Sequence, residues 1–145
     1  MIILDTNVLS ELIKTQGSIV VRRWVAEQPN MNLFTTTITQ AEILYGIALL
    51  PSGKRQNQLN EKAKMMFSED FAGRILPFDE AAAIAFAKIA SERRRRGRPI
   101  SQADAQIASI CYARKAAIAT RNVSDFEGCG ISIVNPWNNE FDLNH

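Results

Sequence analysis

The sequence predicts an α/β domain, three layers of α/β/α with a short, mostly parallel central sheet. Three observations carry this. Short apolar β-type runs alternate with longer helical patterns, as in strand–helix–strand units. The strand runs are continuously apolar, which suits strands buried on both faces. No repeat, Gly/Ser linker or low-complexity tract divides the 145 residues, a length that one core can organise.

Ile2-Ile3-Leu4 reads as the first strand, and the patterns at 10–14 and 18–28 read as helices. Leu33-Phe34-Thr35-Thr36 is rich in β-formers and reads as the second strand. Residues 40–50 place Ile43, Leu44, Ile47 and Leu50 on one helical face, and Pro51 stops that helix. A polar helix follows over about 53–69, then a short strand, Ile75 to Phe78. The alanine-rich run from Asp79 predicts a helix that Gly97 ends ahead of Pro99. Ser101 to Lys115 is a further helix, and Ala117–Thr120 and Ile131–Val134 are the last two strands. The domain is expected to span 1–137, with 138–145 a frayed tail.

Composition narrows the chemistry. Apolar residues make up 46% of the chain and charged residues 22%, so a folded globular chain is expected. No segment approaches the ~18 apolar residues of a membrane span. The apolar start breaks at Asp5 and has no basic flank, so it does not read as a signal peptide, and a cytoplasmic protein without membrane contact is expected. Cys111 and Cys129 form no CxxC pair and read as small buried residues. The single histidine is His145, which disfavours zinc and removes histidine-based triads. Hydrolytic chemistry then falls to carboxylates, hydroxyls, lysines or a metal.

Four acids stand out. Asp5 follows the first strand, Glu42 opens the helix after the second, Asp104 begins the helix before the fourth, and Asp125 lies five residues beyond that strand. Ligands of parallel sheets bind beyond the strand C-termini, where these acids would gather. Capping explains them singly. Thr39–Glu42 and Ser101–Asp104 fit the capping box, Asn122–Asp125 fits it loosely, and Asp5 suits a helix cap. The two readings are compatible. Four packed carboxylates repel unless a cation intervenes. Without histidine, that cation would be Mg²⁺ or Mn²⁺, and the chemistry that of phosphate.

The segments ILDTNVLSEL (3–12), TTITQAEILYGI (36–47), ISQADAQIASIC (100–111) and ATRNVSDFEG (119–128) together resemble the PIN-domain ribonucleases, and within them the VapC-type toxins of toxin–antitoxin pairs. FAGRILPFDE (71–80) and VNPW (134–137) are similar to the FitB-like branch. The resemblance spans nearly the whole chain in order. It implies that Asp5, Glu42, Asp104 and Asp125 form a catalytic, metal-binding set, with Thr6, Asn7, Thr120 and Asn122 orienting ligands or water around it. It implies Mg²⁺- or Mn²⁺-dependent endonucleolytic cleavage of RNA. It also implies a cognate DNA-binding antitoxin, DNA contact through that partner, and a homodimer or toxin–antitoxin hetero-oligomer.

Charge agrees with a polyanionic substrate. The formal net charge is +2, but the 15 acids less these four leave 11 against 17 basic residues. Arg121, within the TRN match, and Arg94, Arg95 and Arg98 of ERRRRGRP (92–99) are candidate RNA contacts. The arginine run equally suits a solvated helix end favoured by the helix dipole, or a partner's acidic tail. Arg121 equally suits a structural salt bridge. Trp24 and Trp137 read as packing residues and Lys54 and Arg55 as surface ones. Two competing functions are a PIN-fold nucleic-acid-binding module acting with a DNA-binding partner without significant catalysis, and a phosphatase with a nucleophilic aspartate. The second wants an acid two residues after the first, where this chain has Asn7.

Overall fold

In the computed structural model, which describes residues 1–138, five strands form one sheet in the order β3-β2-β1-β4-β5, and every pair is parallel. The strands are β1 (Ile2–Leu4), β2 (Leu33–Thr36), β3 (Ile75–Leu76), β4 (Ala117–Ala119) and β5 (Ile133–Val134). The helices are α1 (Thr6–Ile13), α2 (Ile19–Glu27), α3 (Thr37–Ala48), α4 (Lys54–Met65), α5 (Glu80–Arg95), α6 (Gln102–Arg114) and α7 (Val123–Phe126). A 3₁₀ turn at Asn30–Asn32 leads into β2, and α4 runs on into a π-turn at Met66–Asp70. The expected tail falls, from 139 onward, outside the described residues.

Alternation along β1 sets the layers. Ile3 and Leu4 point to opposite faces. Leu4 joins a core with Val8, Leu9, Trp24, Ile43, Ile47 and Phe67, from α1 to the π-turn. Ile3 joins a second core with Ala85, Ile89, Ile107, Ile110 and Ile118, which seats α5 and α6 on the other face. Trp24 and both cysteines are buried, as expected. No described helix is long and apolar enough to cross a membrane.

The element types follow the expectation, β5 begins at Ile133 rather than Ile131, and three further starts and ends differ for local reasons. α1 begins at Thr6 rather than residue 10, because Asp5 itself caps it: the Thr6 amide donates to Asp5 Oδ1 at 2.8 Å. α3 begins at Thr37 rather than 40, because Thr36 Oγ1 accepts the Thr39 amide at 3.1 Å. Its β-branched first turn, Thr37-Ile38-Thr39, has strand-like propensity, and the cap overrides it. β3 stops at Leu76, since Pro77 supplies no ladder donor.

From β1 the chain steps outward to β2 and β3, then returns to place β4 on β1's other side. The order reverses between β1 and β4, so the crevice beyond their C-termini is the topological switch point. Asp5 and Thr120 are the residues that immediately follow these two strands.

Candidate active site

Asp5 is held by both neighbours of the crevice. Its amide donates to Ala119 O at 3.0 Å, which locks it to β4. Its Oδ2 accepts the Thr120 hydroxyl at 2.8 Å and Asn7 Nδ2 at 3.3 Å. Asn7 Nδ2 also reaches Thr120 Oγ1 at 3.2 Å, while Asn7 Oδ1 accepts the Arg121 amide at 3.2 Å. The Asn122 amide donates to Thr120 Oγ1 at 3.1 Å. Asp5, Asn7 and Thr120 thus form one polar knot that fixes the carboxylate's orientation.

The carboxylate is only 4% exposed, and no cationic side chain is among its hydrogen-bond donors in the described residues. Burial pushes its pKa up to about 6, against the Thr120 and Thr6 hydrogen bonds, and the charges of Asp104 and Glu42 push the same way. Asp104, half-buried at the start of α6, is also raised, by burial first and then by Asp125 and Glu42. Asp5 thus feels the charges of Asp104 and Glu42, and Asp104 those of Asp125 and Glu42, each acid standing on a different element.

Their supports differ. The Ser101 hydroxyl accepts the Asp104 amide at 3.2 Å, so Ser101 caps α6 as expected, through one half of a capping box. The one expected at Thr39–Glu42 is not a cap: Glu42 sits in the second turn of α3 and is exposed. Glu42 Oε1 instead accepts the Thr6 hydroxyl at 2.7 Å, with Thr39 Oγ1 3.1 Å from the same hydroxyl. Asn122 caps α7 with no side-chain hydrogen bond, and Asp125 lies exposed on that helix. Among the described residues, no three of these acids converge closely enough to enclose an ion by themselves. A hard divalent ion that keeps several waters needs only one or two direct carboxylates, and an all-oxygen set around an uncompensated buried carboxylate fits Mg²⁺ or Mn²⁺.

The candidate phosphate-binding arginines separate. Arg94 and Arg95 are exposed. Arg98 Nη2 lies 3.6 Å from Glu127 Oε2 and 3.4 Å from the Ser124 carbonyl. The Arg121 guanidinium sits 5.3 Å over the Trp137 ring, a cation–π contact in place of the salt bridge considered from sequence. Sequence reasoning passed over Arg93, which is buried beneath α7, and read Thr39 as a helix cap, whereas it is buried beside Glu42 next to the Thr6 hydroxyl. One arginine in a run of four carries no signal that it alone turns inward.

Thr120→Val tests the knot. Valine keeps the shape but removes the donor to Asp5 and the acceptor of Asn122. A loss of about 1–3 kcal/mol in urea unfolding is expected, with the Asp5 pKa moving above about 6. Unchanged stability would show that the hydroxyl is idle.

Comparison with known proteins places this geometry. The PIN domain family matches residues 2–127. The chain is 40% identical over 137 residues to the plasmid stability protein StbB of Pseudomonas syringae pv. tomato, covering 94% of this chain and 99% of that protein. It is 38% identical over 137 residues to the VapC ribonuclease Y4jK of Sinorhizobium fredii, covering 94% and 98%. The solved structure of FitAB bound to an IR36 DNA fragment aligns at TM-score 0.88 and 38% identity, covering 94% of this chain and 96% of that one. By its matched sequence, its five-stranded parallel sheet and this similarity, the chain belongs to the PIN-domain family.

Proposed function

We propose that this chain is a Mg²⁺- or Mn²⁺-dependent endoribonuclease, the toxin of a type II toxin–antitoxin pair, kept silent by a DNA-binding antitoxin. One observation carries the reading: a buried carboxylate at the switch point, Asp5, faces two further acids and has no cationic side chain among its donors in the described residues. A ribonuclease and a DNA-bound complex among the chain's similar proteins support the same activity and partner.

Asp5, with Asp104, Glu42 and Asp125 around it, would hold a divalent ion, which would lower the pKa of a bound water and offset charge at the scissile phosphate. The chain supplies the rest. Asp5 offers a fixed oxygen whose rotation is blocked by Thr120 and Asn7. Thr6 holds Glu42 by one oxygen, and the other accepts no side-chain hydrogen bond among the described residues, which leaves it available to orient a water proton. Asp104 is kept on the first turn of α6, and Asp125 stands on α7 across the crevice. With water rather than the ribose 2′-hydroxyl as nucleophile, the products are a 5′-phosphate and a 3′-hydroxyl. Arg94, Arg95, Arg98 and Arg121 are the cations proposed to meet RNA phosphates. Beside Thr6 and Glu42 a groove of about 220 Å³ runs to Leu50 and Leu59 with Lys14 and Arg55 among its lining, a seat for an antitoxin segment next to the acids.

The test uses antitoxin-free protein and total RNA in Mg²⁺, Mn²⁺ or EDTA, with the 5′ ends of fragments mapped. Cleavage in either metal, none in EDTA, and 5′-phosphate ends are expected. Cutting that persists in EDTA would sink the proposal. Intact RNA in every condition would favour a binding module that works with its DNA-binding partner.

A further inference from the structure

The basic run at the end of α5 does not behave as one surface. Arg94 and Arg95 face solvent, whereas Arg93 is only 5% exposed. Its Nε donates to the Arg98 carbonyl at 2.7 Å, and the Arg98 amide returns a bond to the Arg93 carbonyl at 2.9 Å. That pair closes the turn after α5. The guanidinium then reaches into the segment that carries Asp125. Nη1 lies 2.9 Å from the Asp125 carbonyl, 2.9 Å from the Glu127 carbonyl and 3.5 Å from Cys129 Sγ. No carboxylate pairs with it directly among the described residues.

Asp125 has little else to fix it. Its helix, α7, is four residues long and has no side-chain cap. A single turn does not hold its own shape, so its position must come from tertiary contacts. Phe126 supplies the apolar contact, fully buried in the core shared with α5 and α6. Arg93 and Arg98 supply the polar ones: the exposed Arg98 reaches the Ser124 carbonyl and the Glu127 carboxylate, while the buried Arg93 grips the main chain of Asp125 itself. The planar fork of arginine can hold the turn's carbonyls and the Arg98 carbonyl at once, which a lysine ammonium cannot do in the same geometry.

We propose that Arg93 is a positioning residue of the acidic site: by holding the carbonyls of Asp125 and Glu127 it sets where the Asp125 carboxylate stands. This rests on the reading of Asp125 as one of four site acids. Outer contacts of this kind change metal affinity without touching the metal.

Mn²⁺ binding by calorimetry on the full chain decides it, with wild type, Arg93→Met, Asp125→Asn, the double variant and Asp5→Asn. Arg93→Met is expected to weaken Mn²⁺ binding about tenfold. In the Asp125→Asn background the same change is expected to add nothing further. Amide exchange in the metal-free protein should speed up over 122–129. Wild-type affinity in Arg93→Met, or an equal loss with and without Asp125, would overturn the proposal. Where Arg93→Met fails to fold, Arg93→Lys takes its place in the same cycle, with a smaller loss that again vanishes in Asp125→Asn. Wild-type affinity in Asp5→Asn would instead overturn the acidic-site reading, a result separable from the first.

Discussion

Asp5→Asn is expected to cut RNA hydrolysis by roughly a thousandfold, the scale seen when one strong electrostatic contact to a transition state is lost. The chain should still fold. Asparagine has the same shape, and its Oδ1 can accept from Thr120 and Asn7 as Oδ2 does. Its Nδ2 then faces the Thr6 amide, donor against donor, and the first turn of α1 loses its cap. That costs about 1 kcal/mol. Against it stands the relief of a buried charge that no cationic side chain among its described hydrogen-bond donors neutralises. In the metal-free protein at neutral pH the charge relief outweighs the lost cap, so the variant should unfold no more easily than wild type while function collapses. End-mapped cleavage rates and Mn²⁺ titrations of the two proteins, beside their unfolding curves, check this. A variant that cuts RNA at the wild-type rate would remove Asp5 from the chemistry.

Much of this site could be read before any coordinates, and the reason is local. Three apolar residues followed by an acid at Asp5 mark a buried strand with a charge at its end, and the strand proved central. The Ser101 hydroxyl caps α6 at the Asp104 amide, a short-range bond, so sequence alone determined their relation. Glu42 was a different case. The Thr39–Glu42 pattern looked like the same device, but Thr36, three residues earlier, took the cap. Glu42 moved to the second turn, where a hydroxyl from another element, Thr6, holds it.

Long-range pairings were not legible. The Thr120 hydroxyl meets Asp5 across 115 residues, a bond that exists only because β1 and β4 are neighbours at the switch point. Family likeness assigned Thr120 an orienting role without saying that its object is Asp5. Arg93 left no trace, because four consecutive arginines on a helix differ only in which face the core covers. Arg93 falls on the face shared with Ile89 and Ala85, at the i+4 spacing that a helix buries. Charge runs at helix ends merit that check of register.

The metal-free protein is expected to lose stability as pH rises through the window in which Asp5 ionises. Its folded pKa is about 6, above the ordinary 3.8, so between these values the folded chain binds more protons than the unfolded one. Stability then falls with rising pH, by about 3 kcal/mol from this group once both states are ionised. Asp104 is raised too and pulls the same way. Glu11 opposes them: burial would raise it, but its hydrogen bond to Lys14 and the Ser18 amide together prevail and lower it. The clean quantity is therefore wild type minus Asp5→Asn, in which the other groups largely cancel. That difference in urea unfolding should fall by about 2 kcal/mol from pH 4 to pH 7 in EDTA. A flat difference would mean that the Asp5 charge is not held out of water. Saturating Mn²⁺ at pH 7 should restore the wild type and leave the variant where it was, since only a cation-binding folded state gains from the ligand. The penalty and its expected reversal would have one cause: the knot at the switch point keeps a carboxylate away from water, and a bound cation would offset its charge.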